Sequence, residues 1–382
     1  MNCKKLFEEI DRLNEYYLDV LEDVCNIESP TSYKKGVDDA GNYIEKIAKE
    51  KGFKIERFSQ EVSGDVIRII MNHDAEAEPV TISGHIDTVH PVGLFGTPAV
   101  RRDEKNMYGP GVLDCKGGVI AGLLAMDALK KCGYDKRPVQ LILQSDEENS
   151  SKTSNKETIK YMCETSKDSV AFLNLELYAK GYAVITTKGI IRYAFNICGT
   201  AGHSSRCDSA SNAIREAAYK IIRLEEFKDA EGITCNCGVI NGGTLPNVVA
   251  EKCSFYADFR FTTNEELEKI KKIAKEISEK NTVEGCKCEL LEVSFRPAMI
   301  DTSKNQELLD KMNKIYEEEG LPVLSPKREL AGTDAAYITQ AGIPCVDGLG
   351  TEGGKLHSID EYIELKSLSE SAKRIAAVVF NI

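Results

Sequence analysis

From about residue 65 to residue 177 the chain alternates short apolar runs with stretches of helical spacing, and that alternation limits the fold more than any other feature. The runs at 66–71, 79–83, 139–144 and 170–175 have strand length, and 117–131, between two of them, is helical. Strands that alternate with helices predict an α/β fold with a largely parallel sheet covered by helices. Two helices precede it. One, over 4–28, repeats Leu6, Ile10, Leu13, Tyr17, Leu21 and Val24, and a second, near 37–51, ends at Gly52.

From about residue 188 the rhythm changes. A strand at 190–198, a helix at 210–226, strands at 232–240 and 248–261, a helix at 264–280 and a strand at 287–295 spell β-α-β-β-α-β, a ferredoxin-like unit complete in itself. After Pro297 the first pattern resumes, with helices near 304–319, 333–341 and 365–379 and a strand at 343–347. The 382 residues suit two domains. The simplest organisation is one α/β domain, 1–187 plus 298–382, interrupted by a small inserted domain over 188–297.

Composition excludes several roles. A net charge of −12 repels nucleic acid and anionic membranes, so neither is expected as a partner. No apolar run approaches the ~18 residues of a membrane span. The opening MNCKKLFEEIDRLNEYY is charged and helix-patterned without a signal-peptide core, which implies a cytoplasmic protein. Thirteen cysteines then read as reduced thiols. Cys235-x-Cys237 and Cys286-x-Cys288 are the tight pairs, and neither has the spacing typical of a structural zinc site.

Five short segments carry chemistry, four of them after predicted strands. In Gly84-His85-Ile86-Asp87-Thr88-Val89, positions i and i+2 share a face, so Asp87 can buttress the His85 ring. The glycines of Gly109-Pro110-Gly111-Val112-Leu113-Asp114-Cys115-Lys116-Gly117-Gly118 aim Asp114 just ahead of a helix. Ser145-Asp146-Glu147-Glu148 stacks three acids at a strand end, where they repel unless cations accompany them. Glu176 follows the run Val170–Leu175, and His357 lies in the glycine-rich loop 348–358. Loops at the carboxyl ends of strands in an open α/β sheet converge on one crevice. Two histidines with three or four carboxylates are ligands suited to Zn²⁺, and a carboxylate bridging two ions is the co-catalytic arrangement. The residues alone leave two readings open, a metal site and a solvated acidic loop.

The segments GHIDTV, YGPGVLDCKGG, SDEE, GTAGHSS, GGTLPNVV, GTDAAY and the late HS, in this order, resemble the di-zinc aminoacylase, carboxypeptidase G and acetylornithine deacetylase family from about residue 20 to the C-terminus. The resemblance implies a zinc-exopeptidase-like sheet and an inserted domain that serves as lid and dimer interface. It implies two Zn²⁺ per chain (Co²⁺ or Mn²⁺ being alternatives), with His85 and Glu176 on one, Glu148 and His357 on the other and Asp114 between them. Glu147 would be the general base, Asp87 would orient His85, and His203 would stabilise the oxyanion, in its own chain's site or in the partner's. The peptide after Asp114 would be cis.

Within the family the bacterial glutamate carboxypeptidases look nearest. Arg260, Arg296 and Asn247, with the Gly332-Thr333-Asp334 stretch, fall where that branch grips a C-terminal carboxylate; a surface cation is the plainer reading of Arg296. Leu177 after Glu176, Cys115 after Asp114 and Tyr182 in place of a basic side chain depart from the pattern. The expected activity is a carboxypeptidase-like release of a free amino acid from a small peptide or N-acyl amino acid by a homodimer. A deacylase, desuccinylase or dipeptidase on the same scaffold is the main alternative. A non-catalytic binding protein has no use for Glu147, and the scattered cysteines disfavour a thiol-rich metal buffer.

Overall fold

Strands Val80–His85 and Val139–Gln144 are buried at every position, as expected for parallel strands covered on both faces. The structure, a computed structural model, describes residues 3–228 and 232–382. The main sheet runs in the order Lys54–Phe58, Val66–Met71, Val139–Gln144, Val80–His85, Ala171–Asn174, Cys345–Val346. The last four are parallel to one another. Val66–Met71 and Lys54–Phe58 add an antiparallel hairpin at one edge. The outer strand of that hairpin, KIERF, is partly exposed throughout. It carries no apolar run, which is why sequence reading passed over it.

Helix Gly117–Lys131 is buried along nearly its whole length, and it packs with helices Cys3–Asn26 and Lys366–Asn381. The predicted stripe Leu6, Ile10, Leu13, Tyr17, Leu21 and Val24 is the buried face of the first helix. The parallel strands end level with one another, His85 opposite Gln144 and Ser83 opposite Asn174. Every loop that leaves these ends therefore starts from the same edge. A second, four-stranded antiparallel sheet, 353–354, 362–364, 106–108 and 101–102, ties the loop carrying His357 to the segment preceding Asp114. No described helix is long and apolar enough to cross a membrane.

The chain separates into two compact units. The first runs to Thr186 and resumes at Asp301–Arg328 and Thr333–Ile382; the second is Thr187–Ile300 with Glu329–Gly332. Those last four residues join the second unit because the Lys188 N–H donates to the Glu329 carbonyl at 3.1 Å and Arg296 Nη1 donates to the Gly332 carbonyl at 2.6 Å. The second unit is an antiparallel sheet in the order Thr234–Gly242, Lys252–Phe261, Gly189–Cys198, Lys287–Arg296. Helices Ala213–Glu225 and Asn264–Glu279 pack on it, and Phe195 stacks on Phe255 at 4.7 Å in its core.

Candidate active site

His85 is the last residue of its strand, Glu147 opens a 3-10 turn just beyond Gln144, and Glu176 follows Asn174. Asp114 sits in a tight irregular turn between Gly111 and helix Gly117–Lys131. Gly111 has φ +71°, a left-handed conformation that glycine adopts without cost. At Gly118 a β-carbon would lie 2.2 Å from the Leu175 carbonyl oxygen. Only glycine lets this helix start so close to the chain that carries Glu176. The Asp114–Cys115 peptide is cis. His357 has φ +58°, in a region where histidine is enriched among non-glycine residues.

These segments bring one constellation together. His85 Nε2 is 3.0 Å from Asp114 Oδ1, and His357 Nε2 is 3.1 Å from Asp114 Oδ2. One carboxylate thus presents a different oxygen to each histidine. Glu176 Oε1 lies 3.8 Å from the His85 nitrogen, and Glu148 Oε2 lies 3.7 Å from the His357 nitrogen. Ligand atoms bonded to one tetrahedral Zn²⁺ at about 2.0–2.2 Å are roughly 3.3–3.6 Å apart. The spacings above bracket that figure on both sides of Asp114.

Asp87 lies against the His85 ring through two groups. The His85 Nδ1 atom is 2.9 Å from the Asp87 backbone carbonyl and 3.4 Å from its carboxylate. The strand ends at His85, so the strict i, i+2 geometry no longer holds at Asp87. Its carboxylate also accepts the Glu147 N–H at 3.1 Å, the Glu148 N–H at 3.2 Å and the Thr31 hydroxyl at 2.6 Å. Asp87 therefore couples the His85 ring to the acidic loop. Asp146 faces away from this constellation, accepting the Ser154 N–H at 2.9 Å and the Thr158 hydroxyl at 2.6 Å.

Sequence reasoning missed a second carboxylate that holds the site. Glu361, wholly buried, accepts the backbone N–H groups of Leu113 at 2.9 Å, Asp114 at 3.1 Å and Gly111 at 3.4 Å. His90 Nε2 lies 3.0 Å from the same group. Its position four residues after His357 was the available signal. Asp347 was also missed; buried beside Glu176's strand, it accepts from Asn174 Nδ2 at 2.9 Å and the Thr333 hydroxyl at 2.7 Å.

The electrostatics call for cations. Burial pushes the Glu148 carboxyl up to about 10, and Glu176 is also raised well above the carboxylate range, mainly by burial. The charges of Asp114 and Glu147 push both the same way. Asp114 is held low despite burial, because both histidines donate to it. The His85 imidazole is raised against its own desolvation by Cys115, Asp114 and Asp87. Crowded, half-buried acids with two histidines fit divalent metal ions, whose charge would replace the protons this arrangement retains. Cys115 is within ligand reach of His85 and Glu176. Its sulfur, however, accepts the His85 N–H at 3.0 Å, and burial raises its thiol pKa, so it serves as packing.

The other expected residues belong to the second unit. His203 is exposed, with Nδ1 2.8 Å from the Ser205 hydroxyl. It pairs with Val248 across a two-residue ladder, and the exposed Asn247 accepts the Ser204 N–H at 3.0 Å. Arg260 is engaged by Asp258 at 2.8 Å. Arg296 is 4% exposed beside Gly332, so the surface-cation reading fails.

The chain is similar to known proteins over nearly its whole length. Carboxypeptidase G2 of a Pseudomonas species is 26% identical over 371 residues, covering 95% of this chain and 88% of that protein. Succinyl-diaminopimelate desuccinylase of Nitrosospira multiformis is 26% identical over 90% of this chain and 92% of its own length. Among solved structures, a tripeptidase from Staphylococcus aureus superposes with a TM-score of 0.77 at 21% identity, over 96% of this chain and 97% of that one. An M20 family metallo-carboxypeptidase from Sulfolobus solfataricus gives 0.74 at 18% identity, over 95% and 98%. Residues 81–381 match the description Peptidase family M20/M25/M40, and the chain belongs to that family, as a hydrolase of the metallopeptidase and amidohydrolase class.

Proposed function

We propose that this enzyme is a di-zinc exopeptidase that releases an amino acid with a free C-terminal carboxylate from a small peptide or N-acyl substrate. One observation carries the two-metal part: Asp114 turns one oxygen to His85 and the other to His357, with Glu176 and Glu148 on the outer sides. His85, Glu176 and Asp114 would hold one ion, and Glu148, His357 and Asp114 the other. When bound, the pair supplies a more acidic water and charge to stabilise the oxyanion.

The protein's own residues do the rest. Glu147 is 7% exposed, and its backbone is pinned by Asp87. In this reading its carboxylate takes the proton of the attacking water and returns it to the leaving nitrogen. Asp87 keeps the Glu147 and Glu148 backbones in register with His85, and Glu361 keeps Asp114 in place. We assign oxyanion stabilisation to His203 and recognition of the substrate carboxylate to Arg296, whose planar fork suits two oxygens. Asn247, Gly332 and Arg260 are secondary contacts; the Arg260–Asp258 pair leaves Arg260 the least available of these.

The similarity to carboxypeptidase G2 across nearly the whole chain supports the carboxypeptidase form. The similarity to the desuccinylase, together with exposed Tyr182 where a cation was expected, supports a deacylase on the same centre. Paired substrates that differ only in a free or amidated terminal carboxylate separate the two. Preference for the free acid supports recognition of the terminal carboxylate, and equal cleavage overturns the carboxypeptidase form in favour of the deacylase. We further propose a homodimer formed through the second unit, supported by exposed Val239 and Ile240 on its edge strand. A cytoplasmic setting is supported by thirteen cysteines that are all unpaired.

A further inference from the structure

The second unit holds a cluster that amide hydrolysis does not use. Cys235 and Cys237 lie two apart on strand Thr234–Gly242, so both side chains leave one face of the sheet. Pairing with Lys252–Phe261 shifts register between Asn236 and Val239, and such a bulge re-aims the side chains beside it. The two sulfurs lie within 4.8 Å of each other. Glu225, the last residue of helix Ala213–Glu225, reaches the same spot, its Oε1 accepting the Cys237 N–H at 2.8 Å. One ligand atom from each of the three lies within 4.8 Å of the other two.

Packing accounts for part of this. Cys235 is 4% exposed and fills the apolar core near Leu224 as a small hydrophobe would. Packing does not account for the carboxylate. Glu225 sits at the negative end of its helix dipole, beside two thiols that would repel it once ionised. Lys228 offsets that charge from one side, at 2.7 Å from Oε2, but its side chain is 54% exposed. Each carboxylate oxygen retains a further lone pair.

We propose that Glu225, Cys235 and Cys237 form a binding site for one thiophilic divalent cation of the zinc or cadmium class, in addition to the centre around Asp114. Tetrahedral thiolate bonds of about 2.3 Å set two sulfurs roughly 3.8 Å apart, within reach of the present spacing. Two sulfurs and one oxygen leave a fourth position for water. The ion would staple the end of helix Ala213–Glu225 to the edge strand of its sheet. The donor set distinguishes the site, because the ligands around Asp114 are nitrogen and oxygen, whereas thiolates select soft ions.

The test uses the full chain, reduced, with its nitrogen and oxygen centre first filled with Zn²⁺ and then titrated with Cd²⁺. The expected result is one thiolate-bound Cd²⁺ per chain, seen as thiolate-to-cadmium ultraviolet absorption at saturation. Cys235→Ser and the milder, half-buried Cys237→Ser should each abolish that absorption while hydrolytic activity is kept, which also shows that the variants fold. Glu225→Gln should weaken Cd²⁺ binding at least ~10-fold, the cost of losing even an outer-sphere partner. Absorption that persists in both cysteine variants, or no thiolate-bound Cd²⁺ in the reduced wild type, overturns the proposal.

Discussion

Replacing Glu361 with glutamine tests whether the site is held by its second carboxylate. The side chain keeps its size, so the change is one oxygen exchanged for an NH₂ group. If the remaining oxygen stays with Leu113 and Asp114, those two N–H groups keep an acceptor that is no longer charged, a loss of roughly 1 kcal/mol each. The new NH₂ faces Gly111 N–H and His90 Nε2. His90 can change tautomer and accept, but the Gly111 N–H cannot, and a buried unpaired donor costs about 1–3 kcal/mol. The sum is about 3–5 kcal/mol, spread between global stability and the placement of Asp114. Denaturant unfolding of the metal-free protein measures the first part. Metal affinity under competition with a chelator measures the second, with a fall of at least ~10-fold expected. Loss of less than 1 kcal/mol in stability with unchanged metal affinity would refute the idea that Glu361 positions Asp114.

Four further outcomes follow from the same geometry. Glu147→Gln should retain metal and fold but lose at least ~10²-fold in kcat; near-normal turnover would move the base elsewhere, and Asp146, turned toward Thr158, is not placed to take over. Glu148, Glu176 and His85 all hold protons more tightly than usual in the metal-free protein, so metal binding at neutral pH should release protons and its affinity should rise with pH. Calorimetry in buffers of different ionisation enthalpy reads this directly, and a heat independent of buffer would contradict it. For the two acids the sign for stability is also fixed. Their folded pKa values lie above the unfolded ones, so the metal-free protein should lose stability as pH rises from acid toward neutral, and bound metal should cancel that loss. Arg296→Ala should lower kcat/KM by roughly 10–150-fold for free-acid substrates and leave amidated ones unchanged, if it grips the substrate carboxylate.

What could be read from sequence was what periodicity and local chemistry encode. The buried stripe of Cys3–Asn26 and the apolar strands Val66–Met71, Val80–His85, Val139–Gln144 and Ala171–Asn174 lie where their spacing put them. Each histidine and carboxylate of the constellation was nominated by its own segment, since a strand-end or glycine-rich loop is a local signal. Contacts between distant segments were not legible. The bond from Glu361 to the Asp114 N–H spans 247 residues, and the nearness of Glu361 to His357 in sequence gives no hint of which turn it holds. The charged outer strand Lys54–Phe58 and the short strands around Met107 and Ile363 lack apolar runs and were missed for that reason. Asp87 meets the His85 ring through its backbone carbonyl as well as its carboxylate, and the carbonyl contact was not legible because the chain leaves strand geometry at His85.

The central claim is that Asp114 bridges two metal ions. Anomalous diffraction at the zinc edge from crystals of the zinc-loaded protein tests it most directly. The account predicts two peaks about 3.5–4 Å apart, one on each side of the Asp114 carboxylate, the first beside His85 and Glu176 and the second beside His357 and Glu148. A single peak at full occupancy, or two peaks with Asp114 outside the coordination of either, would contradict it.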